Sequence, residues 1–521
     1  MNKTVRTFAA IDVGSSDLEL GIYELSDKHG IRPIDQVRYP IALGKDVYSR
    51  GKISYQLVDE MCRVLGEFSQ IMKGYQVEAY RAYATSVLRE TQNNRIVVDQ
   101  IRVRTGIDIR IISNSEQRFI SYKAIAYKDA EFQKVIQKGT AILDVGNGST
   151  QISLFDKDSL VSTQNLPLGV IRLRETMRHM KTTSEREQKL VQEIVDNELV
   201  TFRKMYLKDR DIKNLIGIGK VTLRMYNKIM AGENKQDRIS LEEFNHFYET
   251  LGRMTLDQIE DAFEVNAEYA SVLLPAATII RQVLGVTGAE NIWVPGTRML
   301  DGIAAEYAEE QKLLKFNHNF ANDIIVTSRN MAKRYKCHMP HVQAVEALAL
   351  QVFDSLKKYH GLKARERLLL QIAADLHSCG KFVTMRNATE YAYDIIMATE
   401  IIGLSHLERE IVANVVRYHL QEFRYNDIHI TGWPSRSTRL ASPENLTMTV
   451  AKLTAILRLA NSMDRSHKNK LAGCRIAVKG TSLVITTNYT GDVALEGLSI
   501  EQKADFFEEI YGIRPVLKQK K

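Results

Sequence analysis

Two aspartates, Asp12 and Asp144, stand at matching places in two similar stretches of this chain. Thr7-Phe8-Ala9-Ala10-Ile11-Asp12-Val13-Gly14-Ser15-Ser16 and Thr140-Ala141-Ile142-Leu143-Asp144-Val145-Gly146-Asn147-Gly148-Ser149-Thr150 each run from an apolar segment through Asp into a turn. An alternating stretch follows each turn (Leu18, Leu20, Ile22; Ile152, Leu154) and predicts the second strand of a hairpin. Two such loops across a cleft could hold a phosphate: Gly14, Ser15 and Ser16 on one side, and Gly146, Asn147, Gly148, Ser149 and Thr150 on the other. Glycines let backbone N–H groups approach the oxygens, and hydroxyls add donors. The two aspartates could hold a divalent cation or its waters. One such turn follows from conformational preference alone. Two in matched strand contexts form an internal repeat and carry the main functional statement of the chain.

The elements around these loops predict two α/β halves. Leu57 to Met72, Arg95 to Thr105 and Glu116 to Tyr127 have helical spacing, and Val77 to Ala84 and Asp108 to Ile112 read as strands. The plan restarts near 138, with a helix from Ser184 to Met205, a strand-turn from Asn214 to Lys220, and helices to about Glu310. Beyond Phe316 the pattern becomes helical. Near the end, Arg475 to Val478, Ser482 to Thr487 and Val493 to Gly497 read as strands and Ile500 to Ile510 as a helix. The expected domains are 1–125, 126–312, 316–470 and 471–521. The basic end, Lys518-Gln519-Lys520-Lys521, reads as a solvated terminus.

Composition bounds the function. The 521 residues are 44% apolar, and 71 basic against 63 acidic residues leave +8, a bias toward anionic ligands too small to imply nucleic acid. Arg203, Lys204, Lys208, Arg210, Lys213, Arg224 and Lys228 outnumber Asp209 and Asp211, as a solvated face or as a lane for a polyanion. Cys62, Cys337, Cys379 and Cys474 are scattered without C-x-x-C, which suits a reducing cytoplasm. The N-terminal apolar run is broken at Asp12, so it does not read as a signal peptide, and no stretch is expected to reach bilayer length.

In this order the motifs resemble the exopolyphosphatase / guanosine pentaphosphate phosphatase (Ppx/GppA) family. Asp12-Val13-Gly14-Ser15-Ser16 sits on D-x-G-S-N-S, and Leu43-Gly44 through Gly51-Lys52-Ile53-Ser54 on L-G-x-x-V…G-x-I-S. Ala84-Thr85-Ser86-Val87-Leu88-Arg89 matches A-T-S-A-x-R, Asp144 to Gln151 matches D-I-G-G-G-S-T-E, and Leu166-Pro167-Leu168-Gly169 matches L-P-L-G. The resemblance implies a duplicated ribonuclease-H-like core of the actin, Hsp70 and acetate-kinase type, an all-α HD-like domain and a small α+β tail. It implies a cytoplasmic hydrolase, often dimeric, releasing orthophosphate from inorganic polyphosphate or guanosine pentaphosphate. Arg89 would bind phosphate, and Mg²⁺ would sit on Asp12, Asp144 and position 151.

This chain departs from the pattern where the proton is handled. Ile112-Ser113-Asn114-Ser115-Glu116-Gln117 falls on I-S-G-x-E-E, which places Gln117 at the general base, and Gln151 replaces the second-loop Glu. An amide orients water but accepts no proton. Glu116, adjacent, could supply the missing base. Asp17 brings an unexpected charge into the first loop, and Lys220 replaces a small residue in the G-x-G-G-T turn, where it could pair with phosphate. In the helical part, His341, His377 and His419 take HD-like places, but the His-Asp doublet is His377-Ser378, which favours a packing role over metal binding. An exopolyphosphatase-type hydrolase of low activity is therefore expected, with a polyphosphate or guanosine polyphosphate sensor as the alternative. A kinase on the same fold would need an adenosine pocket that the sequence does not reveal.

Overall fold

The computed structural model describes residues 5–128, 131–179, 184–207, 210–231, 238–428 and 443–520. Lys208, Asp209 and Lys521, expected among the surface charges, lie outside them. The chain forms two compact units, Met1–Asp323 and Ile324–Lys521.

Unit one contains two mixed sheets of the same plan. Strands β1 (Arg6–Val13), β2 (Asp17–Ser26), β3 (Gly30–Pro40), β4 (Ala79–Ala84) and β5 (Ile109–Ile111) lie in the order β3-β2-β1-β4-β5. The second sheet holds β6 (Thr140–Val145), β7 (Thr150–Asp156), β8 (Ser159–Leu166), β9 (Asn214–Ile218), β10 (Arg238–Ser240) and β11 (Asn291–Trp293), ordered β10-β11-β9-β6-β7-β8. In each, the first three strands form an antiparallel meander and the next joins the first in parallel. The registers also repeat, Asp12 opposite Glu19 and Asp144 opposite Gln151. Phe8 through Ile11 and Val13 are fully buried, as expected of a central strand covered on both faces.

Helices Tyr55–Gly74 and Asn94–Thr105 cover one face of the first sheet. Helices Asn114–Lys128 and Met299–Glu310 cover the other. The last of these departs from the sequence expectation, which assigned residues up to 312 to the second half. Leu300, Ile303 and Ala304 instead pack with Phe8, Ala10 and Tyr83. Gly302 allows the close approach: a Cβ there would lie 2.2 Å from the Ile120 carbonyl oxygen. A second correction concerns apolar length. Among the described residues one helix, Ala267–Thr287, is long and apolar enough to cross a membrane. Its burial explains that composition, since Ala270, Leu273, Ala277, Ile280 and Leu284 lie in the core of the second sheet.

Unit two is helical and ends in a three-stranded sheet of β12 (Arg475–Lys479), β13 (Ser482–Thr487) and β14 (Arg514–Gln519). Residues 494–497, expected as a strand, open the helix Ala494–Tyr511. Lys518 and Gln519, expected in a solvated fraying terminus, are exposed but pair in parallel with Thr486 and Thr487. Lys518 suits an edge strand, where one side of the backbone meets water.

Gly302→Ala is expected to destabilise unit one by roughly 1–3 kcal/mol through overpacking. Gly66→Ala, with no atom within 4 Å of the added carbon in the helix Tyr55–Gly74, should instead stabilise by about 0.5–1 kcal/mol. Denaturant titration of both variants checks the opposite signs.

Candidate functional site

The two acidic loops leave β1 and β6 through the same turn. Gly14 N–H donates to the Asp17 carbonyl and Gly146 N–H to the Ser149 carbonyl, each at 3.0 Å. Each loop is braced from behind by a helix start. Ile41 and Gly44 N–H groups donate to the Ser16 and Ser15 carbonyls at 3.0 and 2.9 Å. Val170 and Ile171 do the same to Gly146 and Asn147 at 3.1 and 3.0 Å. Leu43-Gly44 and Leu168-Gly169 are thus corresponding buttresses. At Gly169 the contact leaves no room for a side chain, because a Cβ would lie 2.2 Å from the Asn147 carbonyl oxygen.

The loops meet directly. Asn147 Nδ2 donates to Ser15 Oγ at 2.7 Å. The cleft between them encloses about 170 Å³, enough for a phosphoryl group and a few waters at ~30 Å³ each. Asp12, Gly14, Ser15 and Ser16 line it from the first sheet, and Asp144, Gly146, Asn147, Gly148, Ser149, Gln151 and Lys220 from the second. Asp17, Thr85, Ser86, Arg89 and Gln117 line it as well. Arg89 is oriented by donation to the Ile112 carbonyl at 2.7 Å and to Asn114 Oδ1. Its burial pulls the guanidinium below its usual range, against the opposing pull of Glu90 and Tyr48.

Two expected site residues are placed elsewhere. Glu116 Oε2 accepts the Ser113 N–H at 2.9 Å while Ser113 Oγ accepts the Glu116 N–H at 3.2 Å, and Arg110 pairs with the same carboxylate. This is a capping box at the start of the helix Asn114–Lys128, so the carboxylate does not line the cleft. Ser-x-x-Glu in the sequence already carried that signal. Thr150 is fully buried and donates its hydroxyl to the Leu168 carbonyl. Lys220 lines the cleft, but its ammonium lies 2.5 Å from Asp17 Oδ1 and 3.0 Å from Glu19 Oε1. The two unexpected charges of the sequence therefore face each other.

Burial controls the acids. It pushes the Asp12 carboxyl up to about 7, opposed by Lys220 and aided by Glu19 and Asp17. It pushes Asp144 up to about 6, opposed by Arg118. Arg118 is 1% exposed and donates to the Asn114 carbonyl and to Thr163 Oγ1. Sequence reasoning missed Arg118, whose neighbours come from distant segments. It also missed Glu19, although Glu19 follows Asp12 at the same seven-residue spacing that separates Gln151 from Asp144.

Asp12 Oδ1 and Gln151 Oε1 are buried with no hydrogen-bond partner. Such oxygens fit a hard cation or a water. No group of three or more His, Cys, Asp or Glu residues able to hold a metal gathers among the described residues. Any Mg²⁺ would thus take few protein ligands and rely on phosphate oxygens, its usual habit.

In unit two, His341 Nδ1 lies 2.7 Å from Asp464 Oδ2, a carboxylate partner that sequence spacing did not reveal. His377 and His419 donate Nδ1–H to the Ala374 and Val416 carbonyls at 2.7 and 2.5 Å. Their rings are 5.5 Å apart.

Two α/β sheets of one plan, with paired glycine loops around a cationic and acidic cleft, define an actin-like architecture. The chain belongs to the Ppx/GppA phosphatase family: residues 22–305 match the model of that family and residues 325–503 match its domain III. Its fold is shared by a Ppx/GppA family member from Aquifex aeolicus at 19% identity, covering 61% of this chain and 100% of that one with a TM-score of 0.51. An exopolyphosphatase from Cytophaga hutchinsonii is similar at 18% identity, covering 59% and 98% with a TM-score of 0.52.

Burial holds His419 down to about 4 and His377 well below its ordinary value. Unfolded imidazoles bind protons first as pH falls through about 6.5, so unit two loses stability between about pH 6.5 and 4, by up to ~1.4 kcal/mol per pH unit for each histidine. Denaturation from pH 7 to 5 should show this slope, reduced by one proton in His419→Gln.

Proposed function

We propose that the chain is an exopolyphosphatase-type hydrolase of low turnover, acting on the terminal phosphoanhydride of inorganic polyphosphate or a guanosine polyphosphate. One observation carries this reading: both glycine loops, Arg89, Asp12 and Asp144 line a single cleft. Loop hydroxyls and the forked Arg89 guanidinium bind the terminal phosphate. Phosphoryl transfer needs this alignment and charge neutralisation more than covalent chemistry. Mg²⁺, if bound, would be held by Asp12, Asp144 and Gln151 and would supply further neutralisation of the phosphate oxygens.

The low turnover follows from the amides. Gln117 orients a water but accepts no proton, and Glu116 is spent on its helix cap. Loss of general-base assistance removes about 10²–10⁴ in rate. The diverted Glu116 is also the observation that favours the second reading, a protein that binds polyphosphate without cleaving it.

Orthophosphate release from long-chain polyphosphate separates the readings. Slow release that disappears in Asp144→Ala supports the hydrolase; retained binding with no release above that variant supports the sensor. Gln117→Glu should raise release by about tenfold or more. Arg89→Ala should weaken polyphosphate binding by about tenfold or more, the worth of a charge-assisted hydrogen bond. Unchanged behaviour in both Arg89→Ala and Asp144→Ala would refute the site.

A further inference from the structure

We propose that Lys220 is a tethered cation of the phosphate cleft, letting this chain hold a phosphoanhydride ligand without a divalent ion. The inference rests on the phosphate-binding reading above and concerns how the charge there is balanced.

Asp17 and Glu19 are 1% and 5% exposed. Carboxylates so buried need partners. Arg38 reaches Asp17 Oδ2 at 2.7 Å and Glu19 Oε1 at 3.6 Å, while Lys220 reaches Asp17 Oδ1 at 2.5 Å and Glu19 Oε1 at 3.0 Å. The two acids are on β2 of the first sheet, and Lys220 opens the helix Lys220–Ile229 that follows β9 of the second. The ammonium is therefore fixed across the same cleft that the Asn147–Ser15 bond spans.

Gly219 permits this placement. Its φ is +98°, and a Cβ there would lie 2.9 Å from Asp144 Oδ1. An ammonium has three donors, and Asp17 and Glu19 take two. The third is left for an anion, since Lys220 borders the cleft with Asp12, Gly14 and Gly146. A positive charge already ordered before the ligand arrives saves the entropy of recruiting one. Lys220 and Arg38 together offset the charges of Asp17 and Glu19, which lessens the pull of this wall on a free divalent ion.

Calorimetric binding of tripolyphosphate to the full chain, in EDTA and in excess Mg²⁺, tests the proposal. The native chain should bind with affinities within about threefold in the two conditions, whereas Lys220→Met should bind about tenfold more weakly in EDTA and recover in Mg²⁺. The double variant Asp17→Asn/Lys220→Met, which removes both ends of the shortest of these ion pairs and leaves Glu19 with Arg38, should show the same EDTA loss while its melting temperature stays near native. Native binding that collapses in EDTA overturns the proposal and leaves the proposed function standing. A folded variant with native affinity in EDTA overturns it as well. No binding by the native chain in either condition overturns both.

Discussion

A buried carboxylate at the end of each central strand is the constraint on which the site depends. Asp12 is 7% exposed and Asp144 half-buried where β1 and β6 emerge from their cores, so water reaches them only through the cleft. Burial raises both acids toward neutrality, and the fold answers with cations whose placement follows from that cost: Lys220 near Asp12, Arg118 near Asp144. A buried charge must be paired or neutralised. Arg118 reaches its place from a helix of the first half, and Lys220 from a helix of the second. Each half thus supplies charge to the carboxylate of the other.

The duplication makes that exchange possible. The same turn closes both loops, the same helix-start buttress supports both, and the same register sets Asp12 against Glu19 and Asp144 against Gln151. The halves differ in what the register presents. In the first it is a carboxylate held by Lys220 and Arg38; in the second, an amide with an unpartnered oxygen. The shared turn geometry survives this asymmetry because it comes from backbone hydrogen bonds. The side-chain chemistry does not, because it depends on which residue stands at each position.

Much of this was legible along the chain. The two loops, the flanking strands and the long helices were readable because their signals are local: periodicity, turn residues and a repeat. Even Glu116 announced its cap through Ser113, yet adjacency to Gln117 made it look like a candidate base. Adjacent helix positions point about 100° apart, so proximity in sequence says little about which side chain faces a cleft.

The amino-acid sequence by itself determined the paired glycine loops, the family and the amides at Gln117 and Gln151, since each is a matter of residue identity at a local motif. Only the tertiary structure decided the rest. It returned residues 299–310 to the first sheet, paired Lys518 and Gln519 in an edge strand, and set Asp17 against Lys220 across 203 positions of chain. Such pairings depend on which distant segments the two cores bring together, and neither spacing nor composition encodes that distance.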